Sequence, residues 1–363
     1  MPSVAEIVAG LDRFAPPTLA AEWDNTGLLL GDAAAPVSRI LTCLTLTPDV
    51  AAEAVADGAN LIVSHHPILF RGAKRLTADR GDGAIVWPLA RAGIAVHSPH
   101  TSFDNCPGGI NDILCRRLGL GAVTPLRPKL AAKRFKLVVF VPDSDLAKVS
   151  DAIFEAGGGI IGQYEQCSFR LAGKGTFFGT DATNPVVGQK GRREDVDEWR
   201  LEVVVPESKL SGAVRAMRAA HSYEEVAFDV VPLHPSHDGG EGRIGDLIEP
   251  CGLNAFAERT RAALNAGFLT LVGDERPIRR VAVACGAAGE FLPDAIRAGA
   301  DAFLTGELRF HDALTARAAG LAAIVPGHFA TERPGIEELA EKLAAEWPGV
   351  TVWASRAERD PFR

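Results

Sequence analysis

The chain has 363 residues, of which 47% are hydrophobic and 23% charged, and its formal net charge is −8 at pH 7. This composition is typical of a globular protein long enough for two domains, and the negative charge disfavours nucleic acid as a partner. The sequence shows neither a signal peptide nor an apolar run of membrane-spanning length, and its six cysteines form no C-x-x-C pair. We therefore expect a cytoplasmic protein with reduced thiols and no membrane contact.

The N-terminal region begins with a predicted helix. Apolar residues at helical spacing predict that helix over 3–14, and Trp23 with the leucines after it is expected in the core. Asp24 and Asn25 precede a glycine, which favours an ordinary turn over a functional site.

A βαβ unit follows. A strand over 39–46 leads into a helix that Thr47 caps, and a second strand covers 60–64, so the two strands should be parallel. A further helix over 83–92 precedes a strand over 94–98.

Residues 127–245 differ in character and predict an inserted domain. The order of elements is βα-ββ(β)-αβ, which is that of the ferredoxin-like split βαβ unit, in a PII/CutA-like α+β arrangement. The predicted elements are a strand over 136–141, a helix ending at 156, two strands within 160–178, a strand over 199–205, a helix over 207–220 and a strand over 226–233.

Residues 246–363 repeat the pattern of residues 1–126. Gly58–His66 aligns with Gly299–Glu307, and the two regions together predict one duplicated α/β domain that the insert interrupts. The predicted elements of this second half are strands over 278–285, 300–305, 321–325 and 350–354, with helices over 291–298, 311–319 and 334–345.

Histidines and carboxylates gather after three of the predicted strands. They are His65, His66, His100, Asp104, His328 and Glu332. Sites in open α/β sheets lie at the carboxyl ends of strands, and this number of ligands exceeds the need of one tetrahedral metal. A structural role is the alternative for any single histidine, but the joint arrangement favours two metal ions close together.

Glu307 is a further candidate. The internal alignment sets it against His66, so it is expected near the metals, although a plain structural turn at 305–307 is an equal alternative.

These residues resemble the NIF-three-like dinuclear-metal family, whose members are often labelled GTP cyclohydrolase I type 2 homologues. One departure is Thr45, where the family usually has an aspartate. The stretches that carry the resemblance are Glu22–Leu28, Ser64–Phe70, His100–Asn105, Thr305–Glu307, Gly327–Glu332 and, in the insert, Asp143–Leu233.

The resemblance implies two divalent metal ions per subunit, and the mixed imidazole and carboxylate set favours Zn, Fe or Mn. It also implies that His100 lies close by as a proton-transfer group. Family members form homohexameric rings that the insert domains cap. The metal ligands that the resemblance implies are His65, His66, Asp104, His328 and Glu332.

The ligand chemistry predicts a hydrolase that uses a metal-bound hydroxide on a nucleotide- or phosphate-like small molecule. The family label implies ring opening of GTP, although the chain has no P-loop. The alternative is a non-catalytic metal-binding regulator or a metal storage and delivery protein, with the insert as a sensing module.

Overall fold

The structure, a computed structural model, describes residues 1–129, 133–162, 164–234 and 239–362. Their contacts divide them into two units. The first unit comprises residues 1–129 and 239–362, and the second comprises 133–234. The second unit is therefore shorter at both ends than the segment 127–245 expected for the insert.

Strands and helices are numbered here in chain order over the described residues. The strands are β1 (Gly27–Leu30), β2 (Arg39–Cys43), β3 (Leu61–Ser64), β4 (Ala95–Ser98), β5 (Leu120–Lys129), β6 (Arg134–Val141), β7 (Phe169–Phe178), β8 (Arg193–Pro206), β9 (Phe228–Pro232), β10 (Gly239–Gly252), β11 (Thr270–Val272), β12 (Pro277–Ala284), β13 (Ala302–Thr305), β14 (Ala322–Val325) and β15 (Thr351–Ala354). The α-helices are α1 (Val4–Phe14), α2 (Pro48–Ala56), α3 (Gly81–Arg91), α4 (His100–Asn105), α5 (Ile110–Leu118), α6 (Leu146–Glu155), α7 (Glu207–Ala220), α8 (Leu253–Ala263), α9 (Leu292–Arg297), α10 (Phe310–Ala318) and α11 (His328–Glu346).

The first unit contains two sheets with a common plan. One has the strand order β1-β4-β3-β2-β15 and the other has the order β11-β14-β13-β12-β10-β5. In each sheet the parallel strands lie beside an antiparallel edge strand, β1 against β4 and β11 against β14. The first sheet has four parallel strands (β4, β3, β2 and β15) and the second has three (β14, β13 and β12). This shared order is what an internal duplication predicts.

The faces of the strands determine the layers of this unit. Ile40 and Leu61 lie in a core that also contains Val281 and Leu304 of the other sheet, together with residues of α5 and α11. Alternate residues of the first sheet face the opposite way, and they pack against α2 and α3. A layer of helices therefore lies between the two sheets, with further helices outside.

The second unit has the predicted ferredoxin-like connectivity. Its sheet order is β7-β8-β6-β9 with every pair antiparallel, and α6 and α7 cover one core with the strands. The prediction of two strands within 160–178 was wrong, because the described residues of that segment form one strand, β7. Gly157, Gly159 and Gly162 have positive φ, which turns the backbone out of the extended conformation before β7 begins.

The pairing of β5 with β10 was not predicted from the sequence. The two strands are antiparallel, with Gly239 opposite Lys129 and Leu247 opposite Leu120, and β10 also pairs with β12. Several glycines in β10 hide the alternation of apolar and polar residues by which a strand is recognised. Among the described helices, none combines the length and apolarity required to cross a membrane.

A buried arginine joins β10 to the helices of the central layer. Arg243 is 3% exposed, and its guanidinium donates to both carboxylate oxygens of Asp112 at 2.5 and 3.1 Å. It also donates to the carbonyl oxygens of Gly240 and Cys106 at 2.7 and 3.0 Å. These bonds satisfy a charge that would otherwise be costly to bury.

We expect Arg243→Leu to lower the free energy of unfolding by about 3–5 kcal/mol, because it leaves a carboxylate and several carbonyls without their donor. Chemical denaturation of the two proteins measures the difference. Arg261→Ala is the control, since its ion pair with Glu258 is exposed and is expected to contribute less than about 1 kcal/mol. Equal losses in both variants would contradict this role of Arg243.

Candidate metal centre

Strand ends and two helix starts supply the six predicted site residues. His65 and His66 directly follow β3, whereas His100 and Asp104 lie on α4. His328 and Glu332 lie on α11, which follows β14. A spacing of four residues on a helix places each carboxylate one turn beyond its histidine, on the same face.

The predicted start of the last long helix at Pro334 was wrong. The helix α11 begins at His328 and contains Pro334 in its interior. Gly327, with φ of 100°, makes the turn between the β14 segment and the helix. Glu332 is therefore a buried helical residue rather than part of a loop.

Glu332 lies at the centre of the cluster. Its Oε2 atom is 3.0 Å from Nε2 of His66 and 2.9 Å from Nε2 of His328. Its Oε1 atom is 3.9 Å from Nε2 of His65, which in turn lies 3.4 Å from Oδ1 of Asp104. The structure thus brings these five residues together from both halves of the first unit.

Two overlapping groups of ligand atoms result. In each group the atoms lie within 4.8 Å of one another, and His66 belongs to both. One group is His65, His66 and His100, and the other is His66, His328 and Glu332. Either group could hold a metal ion.

Three of the four imidazoles are held through Nδ1 by a side chain outside the ligand set. The pairs are His66 with Thr45 Oγ1 at 2.7 Å, His100 with Asp24 Oδ1 at 2.6 Å, and His328 with Glu307 Oε1 at 2.7 Å. Such a contact fixes the orientation of an imidazole, and a donating Nδ1–H leaves Nε2 free to bind a metal. Glu307 therefore lies against a site histidine, as the internal alignment suggested.

His65 lacks partners for its ring nitrogens. The side chain is buried, and neither nitrogen makes a hydrogen bond within the described part of the chain. Burial lowers the pKa of His65 well below its ordinary value, which keeps the imidazole neutral. A neutral imidazole with an unpaired nitrogen beside two carboxylates fits a divalent cation, which would satisfy it.

The two carboxylates of the cluster also favour a bound cation. Burial, together with the charge of Glu332, raises the pKa of Asp104 to about 7. For Glu332, the close contacts of His328 and His66 outweigh burial and lower the pKa. Burial opposes protonation of His328, but its contact with Glu332 and its bond to Glu307 prevail and raise its pKa to about 9. A buried and a mostly buried carboxylate that both approach His65 favour a bound cation.

Small residues and a thiol complete the surroundings. A Cβ on Gly286, whose φ is +65°, would lie 2.3 Å from Oε1 of Glu332 and 3.2 Å from Nε2 of His328. The Sγ atom of Cys285 donates to Oδ1 of Asp104 at 3.2 Å. No sequence pattern singles out either residue, because only the fold brings the end of β12 to this edge.

Trp23 and Asp24 differ from their predicted roles. Trp23 was expected in the core but is 61% exposed. Asp24 was expected in an ordinary turn, yet its buried carboxylate accepts hydrogen bonds from His100 Nδ1 and from the Thr101 backbone N–H at 3.1 Å. The match of Glu22–Leu28 with the family pattern was the one signal that could have identified Asp24.

The sequence is similar to those of a known protein family. The sequence profile of the family described as Duf34/NIF3 (NGG1p interacting factor 3) matches residues 2–361. A Halalkalibacterium halodurans protein named GTP cyclohydrolase 1 type 2 homolog is 37% identical over 363 residues, which cover 98% of this chain and 97% of that protein.

Solved structures agree in fold. The crystal structure of a Bacillus cereus protein related to NIF3 has a TM-score of 0.80 at 35% identity, with 100% of this chain and 99% of that one covered. A Staphylococcus aureus protein has a TM-score of 0.82 at 29% identity, with 100% and 98% covered.

The pair of Asp24 and His100 generates a prediction about pH. Bonds from His100 and Thr101 outweigh burial and hold the pKa of Asp24 at about 2, below its ordinary 3.8. Likewise, burial opposes protonation of His100, but its bond to Asp24 and the charges of Asp104, Asp24 and Glu332 prevail and raise its pKa above the ordinary 6.5. The carboxylate's contribution to stability is complete above pH 3.8 and lost as the pH falls toward 2. The imidazolium's contribution is complete below pH 6.5 and lost as the pH rises through the raised pKa.

We therefore expect Asp24→Asn to destabilise the metal-free protein most between pH 3.8 and 6.5, with a smaller effect at higher pH. Denaturation curves of both proteins, recorded across pH after treatment with a chelator, measure the difference. Asp32→Asn, an exposed site, is the control. A destabilisation that does not change with pH would contradict the ion pair.

Proposed function

The chain belongs to the Duf34/NIF3 family, and on that premise we propose that its histidine–carboxylate cluster binds two divalent metal ions and hydrolyses a nucleotide- or phosphate-like small molecule. The observation that carries the proposal is the set of imidazoles held through Nδ1 around Glu332, with the unpartnered His65 beside them. The proposed metal ligands are His65, His66, Asp104, His328 and Glu332.

Charge and ligand type support this set. Two carboxylates with three neutral imidazoles would compensate half the charge of two divalent ions, which leaves the centre attractive to an anionic substrate. Imidazole nitrogen and carboxylate oxygen together suit Zn, Fe or Mn. When bound, the ions would act as Lewis acids and lower the pKa of water at the site.

His100 is the proposed proton-transfer residue. Its ring centroid lies 5.2 Å from that of His65 and 5.7 Å from that of His66, and Asp24 holds its Nδ1 atom. With Nδ1 bound to a carboxylate, Nε2 is the atom that can give or take a proton at the substrate. Because His100 also lies within one of the two groups of ligand atoms, its variants need a metal measurement beside any rate.

The backbone of His100 is a second reason to assign it a role. Its φ is +33°, a backbone angle that is unfavourable for any residue other than glycine. Such strain persists where surrounding contacts impose it, and here the bonds of Asp24 to His100 and Thr101 do so. The strained position places the imidazole against the ligand cluster rather than in solvent.

Metal content is the first test. Protein purified without chelators should carry close to two equivalents of metal per chain by mass spectrometry. Both Asp104→Ala and His328→Ala should lower that content, because each removes a proposed ligand. His311→Ala, at an exposed histidine on α10, should not. One equivalent or none, unchanged in the ligand variants, would overturn the dinuclear centre.

Glu307→Gln tests the contact that orients His328. We expect metal affinity to fall about 10–100-fold, because the amide no longer supplies the charge that supports the imidazole. Competition with a chelator measures that affinity, and circular dichroism shows whether the fold is intact. Glu341→Gln, at an exposed position on α11, the helix of His328, is the matched control. Equal affinity in native protein and Glu307→Gln would sink this role.

Turnover decides between hydrolase and the alternative function. The relatives' name makes GTP the first compound to test, followed by simple phosphoesters, each with the metal-loaded protein. Absence of turnover, with reversible metal exchange, would favour a metal-binding regulator or storage protein. The hexameric ring rests on the family resemblance and stays a prediction.

A further inference from the structure

Two large aromatic side chains stand exposed beside the candidate metal centre. Trp23 is 61% exposed and Phe70 is 47% exposed. Their ring centroids are 6.0 Å apart with an interplanar angle of 71°. The same rings lie 6.0 and 6.5 Å from the ring of His100, each nearly perpendicular to it. A cluster of exposed apolar side chains next to the proposed proton-transfer residue indicates a binding site, whereas a single exposed apolar residue is common on protein surfaces.

Hydrogen bonds hold the loop of Trp23 in position. On one side of it, the backbone N–H of Ala21 donates to Oγ1 of Thr101 at 2.9 Å. On the other side, the carboxylate of Asp24 accepts from His100 and Thr101. The loop is therefore fixed to the start of α4 directly before and after the exposed indole.

The segment of Phe70 is joined to the same loop. The Nδ2 atom of Asn25 donates to the carbonyl oxygen of Leu69 at 3.2 Å. Leu69 has φ of +55°, an unfavourable value for a residue with a branched side chain. Strain of this kind is kept where a site requires a fixed geometry. Both rings are thus positioned in advance, although they gain little burial from it.

We propose that Trp23 and Phe70 form an aromatic wall that binds a planar heteroaromatic ring of the substrate and presents the substrate to His100 and the metal centre. This specificity role rests on the proposed function, which supplies the reacting centre. Rings favour stacking with other rings, and such contacts tolerate differences between bases because each has a π-face.

A small molecule fits these observations better than a protein partner. Stable protein interfaces bury about 800 Å² on each side, far more than two side chains provide. Beyond Phe70, residues 71–80 are exposed and mostly polar or charged, and Leu76 is the one large apolar side chain among them. The wall instead adjoins the proton-transfer residue, where part of a substrate must lie.

Isothermal titration calorimetry on the full-length, metal-loaded protein tests the wall. The probes are guanosine and cytidine, which carry a ring without phosphate, and ribose 5-phosphate, which carries phosphate without a ring. Trp23→Leu and Phe70→Leu keep an apolar side chain but remove the ring, and Trp23→Phe restores a smaller one. Trp87→Leu is the matched control, because Trp87 is 49% exposed on α3.

We expect nucleoside affinity to fall about tenfold or more in Trp23→Leu and Phe70→Leu, and to recover in part in Trp23→Phe. Trp87→Leu should match the native protein, and ribose 5-phosphate should bind all variants alike. Metal content, measured on the same samples, should stay unchanged throughout.

Three results would overturn the wall. Native protein that binds neither nucleoside would do so, as would equal nucleoside affinity in native protein and the Leu variants. A change of sedimentation in Trp23→Leu or Phe70→Leu would identify the pair as a subunit contact instead. If metal content is near two equivalents in any of these cases, the proposed metal centre stands; metal-free native protein would overturn the proposed function itself.

Discussion

The hydrogen bonds to Nδ1 of His66, His100 and His328 fix the direction in which each imidazole presents its other nitrogen. An imidazole can turn about two bonds, and a partner at Nδ1 restricts that rotation. The partners come from three separate parts of the chain. The geometry at Glu332 therefore depends on the whole first unit rather than on the strand ends alone.

The C-terminal segment supports this arrangement from outside. The buried carboxylate of Glu358 accepts the backbone N–H groups of Leu44 and Thr45 at 3.0 and 2.6 Å, and it pairs with Arg333. Thr45 holds His66, whereas Arg333 directly follows Glu332 on α11. One carboxylate thus links the end of β2 to the helix that carries a central site residue. The partner at Nδ1 of His66 is the neutral hydroxyl of Thr45, whereas the partner at Nδ1 of His328 is the carboxylate of Glu307. The two imidazoles therefore differ in the charge of their hydrogen-bond partner.

The errors of sequence interpretation share one cause. An apolar indole next to three leucines was taken as core, but Trp23 lies in a loop that bonds of Ala21 and Asp24 hold at the surface. The sequence predicts a helix that begins at Pro334, whereas α11 begins at His328 and contains that proline, and it packs against α5 and β2. Local propensity was overridden in each case by contacts with residues distant in sequence.

The sequence by itself determined the fold class, the ferredoxin-like order of the insert and the six residues that meet at the strand ends. Strand and helix periods are local patterns, and the carboxyl ends of parallel strands lie on one edge of a sheet, so these features follow from order along the chain. Only the tertiary structure decided which side chains bind Nδ1 of the histidines. It also decided that Trp23 and Phe70 lie together, exposed, beside His100. Those relations join segments up to 80 residues apart, as in the bond from Ala21 to Thr101, and no local pattern encodes a contact at that separation.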